Sequence, residues 1–183
     1  MRLRVAVGAY SGFWGIGSTP NFLPGIGGYA RVGAQFTERF GLDAQISGAA
    51  LNGWAVRGAV TAEFAPADWF AVGSGVSVVR LNTAAPLFGG YEQNITFAGV
   101  PLRIAFRVGG RSTGRARQAF EILVEGDLGV GSRRLPDYGS GCGCLSGGWG
   151  GGIACTEPCR TVMGANVLDY GWAIGLGLGY ARF

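Results

Sequence analysis

The chain has 183 residues, 36 of them glycine, a net charge of +4, and 48% hydrophobic against only 14% charged residues. Glycine far above its ordinary share of about 7% without a Gly-X-Y period excludes collagen, and the apolar fraction excludes a disordered chain. Every basic residue is arginine, scattered rather than clustered as a nucleic-acid surface requires, and with no histidine the chain has nothing with which to run Ser-His-Asp or Cys-His catalysis, ligate zinc through imidazole or shuttle protons near neutral pH.

The length suits a single domain, residues 1–183, and its dominant signal is a period of two repeated eight times. In the first segment Leu3, Val5, Val7 and Ala9 share a face; MRLRVAVGAY alternates from its first residues and lacks the apolar core of a secretory signal, so no signal peptide is read here. A long loop, about 10–25, follows. The uncharged stretch from Val5 to Ala30 is long enough to cross a membrane as a helix, but Pro20, Pro24 and glycines including Gly8, Gly12, Gly15 and Gly17 break any continuous helix. The second segment alternates Ala30, Val32, Ala34 and Phe36 with Arg31, Gly33, Gln35 and Thr37. After a break at Arg39 to Gly41, the third alternates Leu42, Ala44 and Ile46 with Asp43, Gln45 and Ser47. Past a short connection near Leu51 to Gly53, the fourth sets Trp54, Val56, Val60, Ala62 and Phe64 against Arg57, Thr61 and Glu63.

Ala65-Pro66-Ala67-Asp68 is a tight-turn signal. The fifth segment has Phe70, Val72, Val76 and Val78 opposite Ala71, Gly73, Gly75 and Ser77, and a loop over 81–94 leads to the sixth. There Val100, Leu102, Ile104, Phe106 and Val108 oppose Gly99, Pro101, Arg103, Ala105 and Arg107. Gly109 to Gln118 reads as a moderate turn. The seventh segment opposes Phe120, Ile122, Val124, Leu128 and Val130 to Glu121, Leu123, Glu125, Asp127 and Gly129. After the longest loop, 132–166, the last sets Trp172, Ile174, Leu176, Leu178 and Tyr180 against Gly171, Ala173, Gly175, Gly177 and Gly179.

Most segments approach the roughly 9 to 11 residues that a tilted strand needs to cross a bilayer. Apart from the short connection near Leu51 to Gly53, long connections alternate with short ones, the layout of an eight-stranded antiparallel up-and-down transmembrane β-barrel with periplasmic termini and long extracellular loops. A soluble lipocalin-type barrel also alternates, with its apolar face inward; the non-apolar face decides against it, because tiny residues with a few arginines and carboxylates suit a narrow packed lumen better than a solvated exterior. Trp54 and Phe64, and Trp172 and Tyr180, bracket apolar stretches as interfacial girdles do. A hairpin of the sixth and seventh segments in which paired numbers sum to 228 sets Arg107 opposite Glu121 and Arg103 opposite Glu125, with Phe106 opposite Ile122 on the other face. Arg31, Arg57, Asp43, Glu63 and Asp127 extend this charge network, which is read as a structural polar plug, since each acid shares its face with arginine.

The four cysteines, Cys142, Cys144, Cys155 and Cys159, all lie in the longest loop, which points to disulfides formed in an oxidising compartment. Cys142 and Cys144, separated by one residue, would make a strained bond, so nested Cys142–Cys159 and Cys144–Cys155 are expected ahead of the crossed pairing, with a four-thiolate zinc site as the rival reading. Loop aromatics Phe13, Trp14, Phe22, Phe88, Tyr91 and Trp149, with Leu23, either pack the loops together or form a ligand-binding tip.

With its terminal GLGLGYARF, the chain resembles the small eight-stranded outer-membrane barrels: the OmpA membrane domain and the OmpX/Ail and OmpW-like groups. The resemblance implies a bacterial outer-membrane location, lipopolysaccharide and bilayer lipid as surroundings, and Phe183 as the aromatic end read by the barrel-assembly machinery; Ala181 departs from the apolar or aromatic residue that these families place two before the end. Two enzymes share this type of barrel, a lipid A palmitoyltransferase and a lipid A deacylase, and both use a histidine that is missing here. No periplasmic peptidoglycan-binding domain is read after the last segment. The expectation is a non-enzymatic outer-membrane barrel without cofactor or metal, holding a structural or surface-interaction role through its loops toward an unidentified extracellular ligand or protein. The alternatives are a small pore or carrier and a soluble ligand-binding barrel.

Overall fold

A period of two puts bulky apolar residues on one side of a pleated backbone, and that side must find a common environment along every strand. In the computed structural model, which describes residues 1–16, 23–51, 53–83, 93–113, 116–134 and 166–182, the chain forms eight strands. They are β1 (Arg2–Ile16), β2 (Leu23–Gln35), β3 (Phe40–Leu51), β4 (Gly53–Ala67), β5 (Phe70–Thr83), β6 (Gln93–Thr113), β7 (Ala116–Arg134) and β8 (Asn166–Arg182). Each pairs antiparallel with the next and β8 pairs with β1, so the sheet closes into a barrel and leaves no edge.

Register sets the dimensions of this barrel. The row of paired residues starting at Leu3 runs through Ala34, Leu42, Ala62, Ser74, Leu102, Gly126 and Ile174 and returns to β1 at Phe13, position 13 against 3, a stagger of ten residues. For eight strands this stagger means a tilt of roughly 40° and a backbone cylinder about 8 Å in radius, just wide enough for side chains to fill. Each residue then climbs about 2.5 Å along the barrel axis, and each step to the next strand about 3 Å. The β6/β7 register is the one in which paired numbers sum to 228: Arg103 lies opposite Glu125 and Arg107 opposite Glu121.

The end that carries both β1's start and β8's finish is closed by compact turns. Between β2 and β3, the Phe36 N–H donates to the Phe40 carbonyl at 2.9 Å, and the Thr37 hydroxyl accepts from the Phe40 N–H at 3.0 Å. Between β4 and β5 the register shifts from Phe64 to Ala67, around Pro66, which has no N–H to give the ladder. The β6/β7 ladder shifts between Val108 and Arg111, where Gly109 takes φ +68°, a left-handed conformation that costs a residue with a β-carbon about 1 kcal/mol or more.

The strands run further than the alternation predicts. β1 continues to Ile16 and β2 begins at Leu23, so Phe13 and Trp14 are strand residues, and of the expected loop over 10–25 the part 17–22 lies outside the described residues. The stretch expected as a turn from Gly109 to Gln118 is largely ladder, with Arg111 opposite Gln118 and Thr113 opposite Ala116. At the far end the reason is that the two faces exchange character: Tyr10 and Trp14 point inward and are buried while Ser11 points outward, so bulk no longer marks the outer face. Of the expected loops 81–94 and 132–166, the parts 84–92 and 135–165 lie outside the described residues.

Candidate functional site

Two surfaces carry information about function: the outside of the cylinder and its lumen. The outside is apolar. Ile46, Val76 and Leu102, near mid-height, are 59%, 66% and 60% exposed. The outward-facing residues Arg80 and Arg182 stand at opposite rims, and among the described residues no charged side chain faces outward between them. Near the termini end the outer face carries Phe40, Phe64, Phe70, Phe106, Phe120 and Tyr180. Phe40 and Phe64 lie 4.9 Å apart and Phe70 and Phe106 5.5 Å, and Trp69 in the turn packs 5.6 Å from Phe70. Near the far end the outer face carries Phe13, Trp54, Tyr170 and Trp172. Trp54 and Phe64 belong to one strand and are ten positions apart (64 against 54), which at this tilt separates the two belts by about 25 Å along the axis.

The lumen inverts this chemistry. Arg4, Arg31, Arg57, Arg103 and Arg107 lie inside with Asp43, Glu63, Glu121, Glu125 and Asp127, none more than 8% exposed. Five positive and five negative groups leave the interior formally neutral, the condition under which buried charge is tolerable. The Glu63 carboxylate is bound by the Arg4 guanidinium and, at 2.6 Å, by Arg107 Nη2. Its second oxygen lies 3.9 Å from Arg103 and 4.0 Å from Arg31. Glu121 accepts from Arg31 Nη2 at 2.6 Å, Asp127 from Arg57 Nε at 2.7 Å, and Glu125 from both Arg57 Nη1 at 2.9 Å and Gln45 Nε2 at 2.7 Å. Asp43 lies 3.3 Å from Arg103 and 3.7 Å from Arg4, and Arg103, 3.4 Å from Glu125, joins the two halves into one connected network.

The paired neighbours of the β6/β7 hairpin are therefore not the tightest contacts. Arg107 is 3.4 Å from Glu121 and Arg103 3.4 Å from Glu125, while the contacts below 3 Å cross the lumen between strands far apart in sequence. All nine charged residues proposed from the sequence point inside. Sequence reasoning missed Arg4 and Gln45; the signal for Arg4 was its shared parity with inward Ala6 and Tyr10.

Beyond the charges, toward the far end, the lumen turns apolar. Trp14, Val79, Leu81, Ile95 and Phe97 are at most 3% exposed. β8 makes room for such bulk: a Cβ at Gly175 would stand 2.7 Å from Cε2 of Tyr10, and one at Gly171 would meet the ring of Phe97. Bulky rings on one side and bare backbone on the other suit the narrow cylinder of eight strands, whose interior side chains can fill.

The chain matches no family model, no curated protein and no solved structure. Function has to come from these two surfaces. Of the four aromatics proposed as girdles, Phe64 and Tyr180 stand at the termini-end belt and Trp54 and Trp172 at the other, all facing outward. Phe13 faces outward and Trp14 is buried inside rather than held in a loop. Phe88, Tyr91, Trp149, Phe183 and the four cysteines lie outside the described residues. Every lumen carboxylate is within 3 Å of a guanidinium except Asp43, which touches two at longer range, and among the described residues no three acidic or thiol side chains converge to hold a metal ion. What this arrangement does chemically is neutralise itself.

Proposed function

We propose that the chain is an integral outer-membrane β-barrel with a closed, salt-bridged lumen, serving the bacterial envelope structurally and through surface interactions of the connections at its far end. One observation carries the reading: a charge-free apolar belt about 25 Å tall, bounded by aromatic rings, surrounds an interior holding ten charged groups. A protein folding in water by the hydrophobic effect does the reverse. In a bilayer the same arrangement is favourable on both counts, since lipid takes the apolar belt and closure satisfies every strand's backbone. The termini end then faces the periplasm, and the bilayer and its lipopolysaccharide are the barrel's surroundings. The lack of histidine and the pairing of the acids with arginine support a non-enzymatic role.

Fractionation with protease shaving of intact cells tests this reading. The protein is expected in the outer-membrane fraction, extracted only by detergent, migrating faster unheated than heated on SDS gels, and cleaved from outside only in the far-end connections. Recovery in the soluble fraction without detergent contradicts it. A large, steady conductance in planar bilayers would instead favour the pore reading, which the packed lumen opposes.

A further inference from the structure

The net charge of +4 is not spread over the molecule. The ten lumen charges cancel. The far-end strand ends and the connections that join them hold four arginines (Arg80, Arg133, Arg134, Arg160) and four acids (Glu92, Asp137, Glu157, Asp169), which cancel too. The termini end is left with six arginines against Glu38 and Asp68, so the whole excess belongs there. It is also one-sided. Arg39 is offset by adjacent Glu38 in the β2/β3 turn, and the β4/β5 turn holds Asp68 and no basic residue. The other five, Arg2, Arg111, Arg115, Arg117 and Arg182, belong to the β6/β7 hairpin and the β8/β1 seam, four consecutive strands of the closed sheet. Register places two of them in one row. Val108, Phe120 and Tyr180 are paired neighbours on the outer face, within the aromatic belt. The bulge between Val108 and Arg111 takes up one extra residue, so the next outer-face row reads Arg111, Gln118, Arg182. On β7 and β8 this row lies two residues beyond the belt, about 5 Å along the axis. With neighbouring strands about 4.8 Å apart, the backbones of its two arginines stand roughly 10 Å from each other, on either side of Gln118. Arg182 is exposed, and no carboxylate of the described residues pairs with it.

We infer that this row is a binding site for anionic phospholipid in the leaflet at the termini end. The inference rests on the membrane reading above. Arg111 and Arg182 are the cations for the phosphates, Gln118 between them brings an amide donor, and the acyl chains lie along the apolar face on the belt side of Phe120 and Tyr180. Three observations select a lipid over an anionic polymer or protein in the aqueous space. The row continues the outer face of the belt, the side turned to the bilayer. It lies just outside the aromatic ring, at the depth where headgroups sit. The rim segments that flank it, 1–3, 108–120 and 180–183, contain no acid, and arginines so placed are drawn to an anionic leaflet.

The test uses the full chain in phosphatidylcholine vesicles, with the four cysteines replaced by Ser. A bimane label is carried on Phe120→Cys, beside the row, or on Phe64→Cys, in the same belt across the barrel. A minor fraction of phosphatidylglycerol or phosphatidylcholine with a nitroxide on the acyl chain near the headgroup is added, because nitroxide quenches bimane on contact. Since phosphatidylcholine also carries a phosphate, its neutral headgroup isolates the contribution of net negative charge. At position 120 the anionic lipid is expected to quench with about fivefold higher apparent affinity for each arginine, roughly 25-fold for the two. At position 64 the two lipids should quench alike. Arg111→Gln and Arg182→Gln should each lower the preference about fivefold, and the double variant should abolish it, all keeping their heat-modifiable migration. Equal quenching by the two lipids at position 120, the same preference at both positions, or a preference that survives the double variant overturns the lipid site while leaving the membrane barrel intact. Absence of quenching by either lipid at either position, with bimane open to aqueous iodide, overturns the site and the membrane reading together.

Discussion

Glu63 is the residue on which the lumen network depends most. Its two oxygens lie within 4.0 Å of four guanidiniums, those of Arg4, Arg31, Arg103 and Arg107. Glu63→Gln keeps the shape and removes the charge, leaving five buried arginines against four carboxylates. Removing one partner of a buried ion pair costs about 3–5 kcal/mol, because the other charge stays desolvated, and the folded-to-unfolded ratio should fall by between about 10² and 10⁴. Arg107→Met in the same chain restores neutrality and keeps an apolar stem of similar bulk; Glu121, which Arg107 also approaches, still holds Arg31 at 2.6 Å. The double variant should therefore be more stable than the sum of the single losses by about 1–3 kcal/mol. Equilibrium urea unfolding of the micelle-bound protein, followed by tryptophan fluorescence, measures all three. A cost below about 1 kcal/mol for Glu63→Gln, the range of exposed ion pairs, or simple additivity in the double variant, would refute the account of a closed, mutually neutralising network.

Other consequences follow from the packing and from the belt. Gly175→Ala sets a methyl group against the Tyr10 ring and should lower stability by about 1–3 kcal/mol in the same unfolding assay; Tyr10→Ala in that background should recover part of the loss, and no recovery would mean the ring is not what the methyl meets. Gly109→Ala should cost about 1 kcal/mol or more through its left-handed backbone alone, with no rescue from any side-chain truncation, since a Cβ there meets nothing within 4 Å. Leu102→Arg at mid-belt should cost about 2–4 kcal/mol, while Val108→Arg at the termini rim should cost about 1 kcal/mol or less. The two positions are equally exposed, at 60% and 58%, so equal costs would count against a lipid environment.

Much of this architecture was legible because the physics that builds it is short-range. Alternation gave the eight strands, and two arginines and two glutamates spaced by four set the β6/β7 register on one face while Phe106 and Ile122 agreed on the other. Strand ends were not legible, because toward the far end Tyr10, Trp14, Val79 and Leu81 turn bulk inward and the pattern that marks the outer face reverses. The true partners in the lumen were also hidden. Arg31 meets Glu121 and Arg57 meets Asp127, strands that come together only once the sheet has closed with its particular stagger, a global quantity that no local spacing contains.

The central claim is that the outer surface of the cylinder faces lipid along its middle, and a nitroxide scan of β8 from Leu168 to Tyr180 tests it most directly. With Cys142, Cys144, Cys155 and Cys159 replaced by Ser, single labels report collision with oxygen, which concentrates in the bilayer, and with a polar nickel chelate, which stays in water. Labels at the even positions should collide with oxygen and not with nickel, the contrast peaking at Leu176, near mid-height, and declining toward Tyr170 and Tyr180. Labels at odd positions, which face the lumen, should meet little of either. Even positions that collide with nickel as freely as an exposed loop does would mean that the belt is bathed in water, and the membrane account would fall.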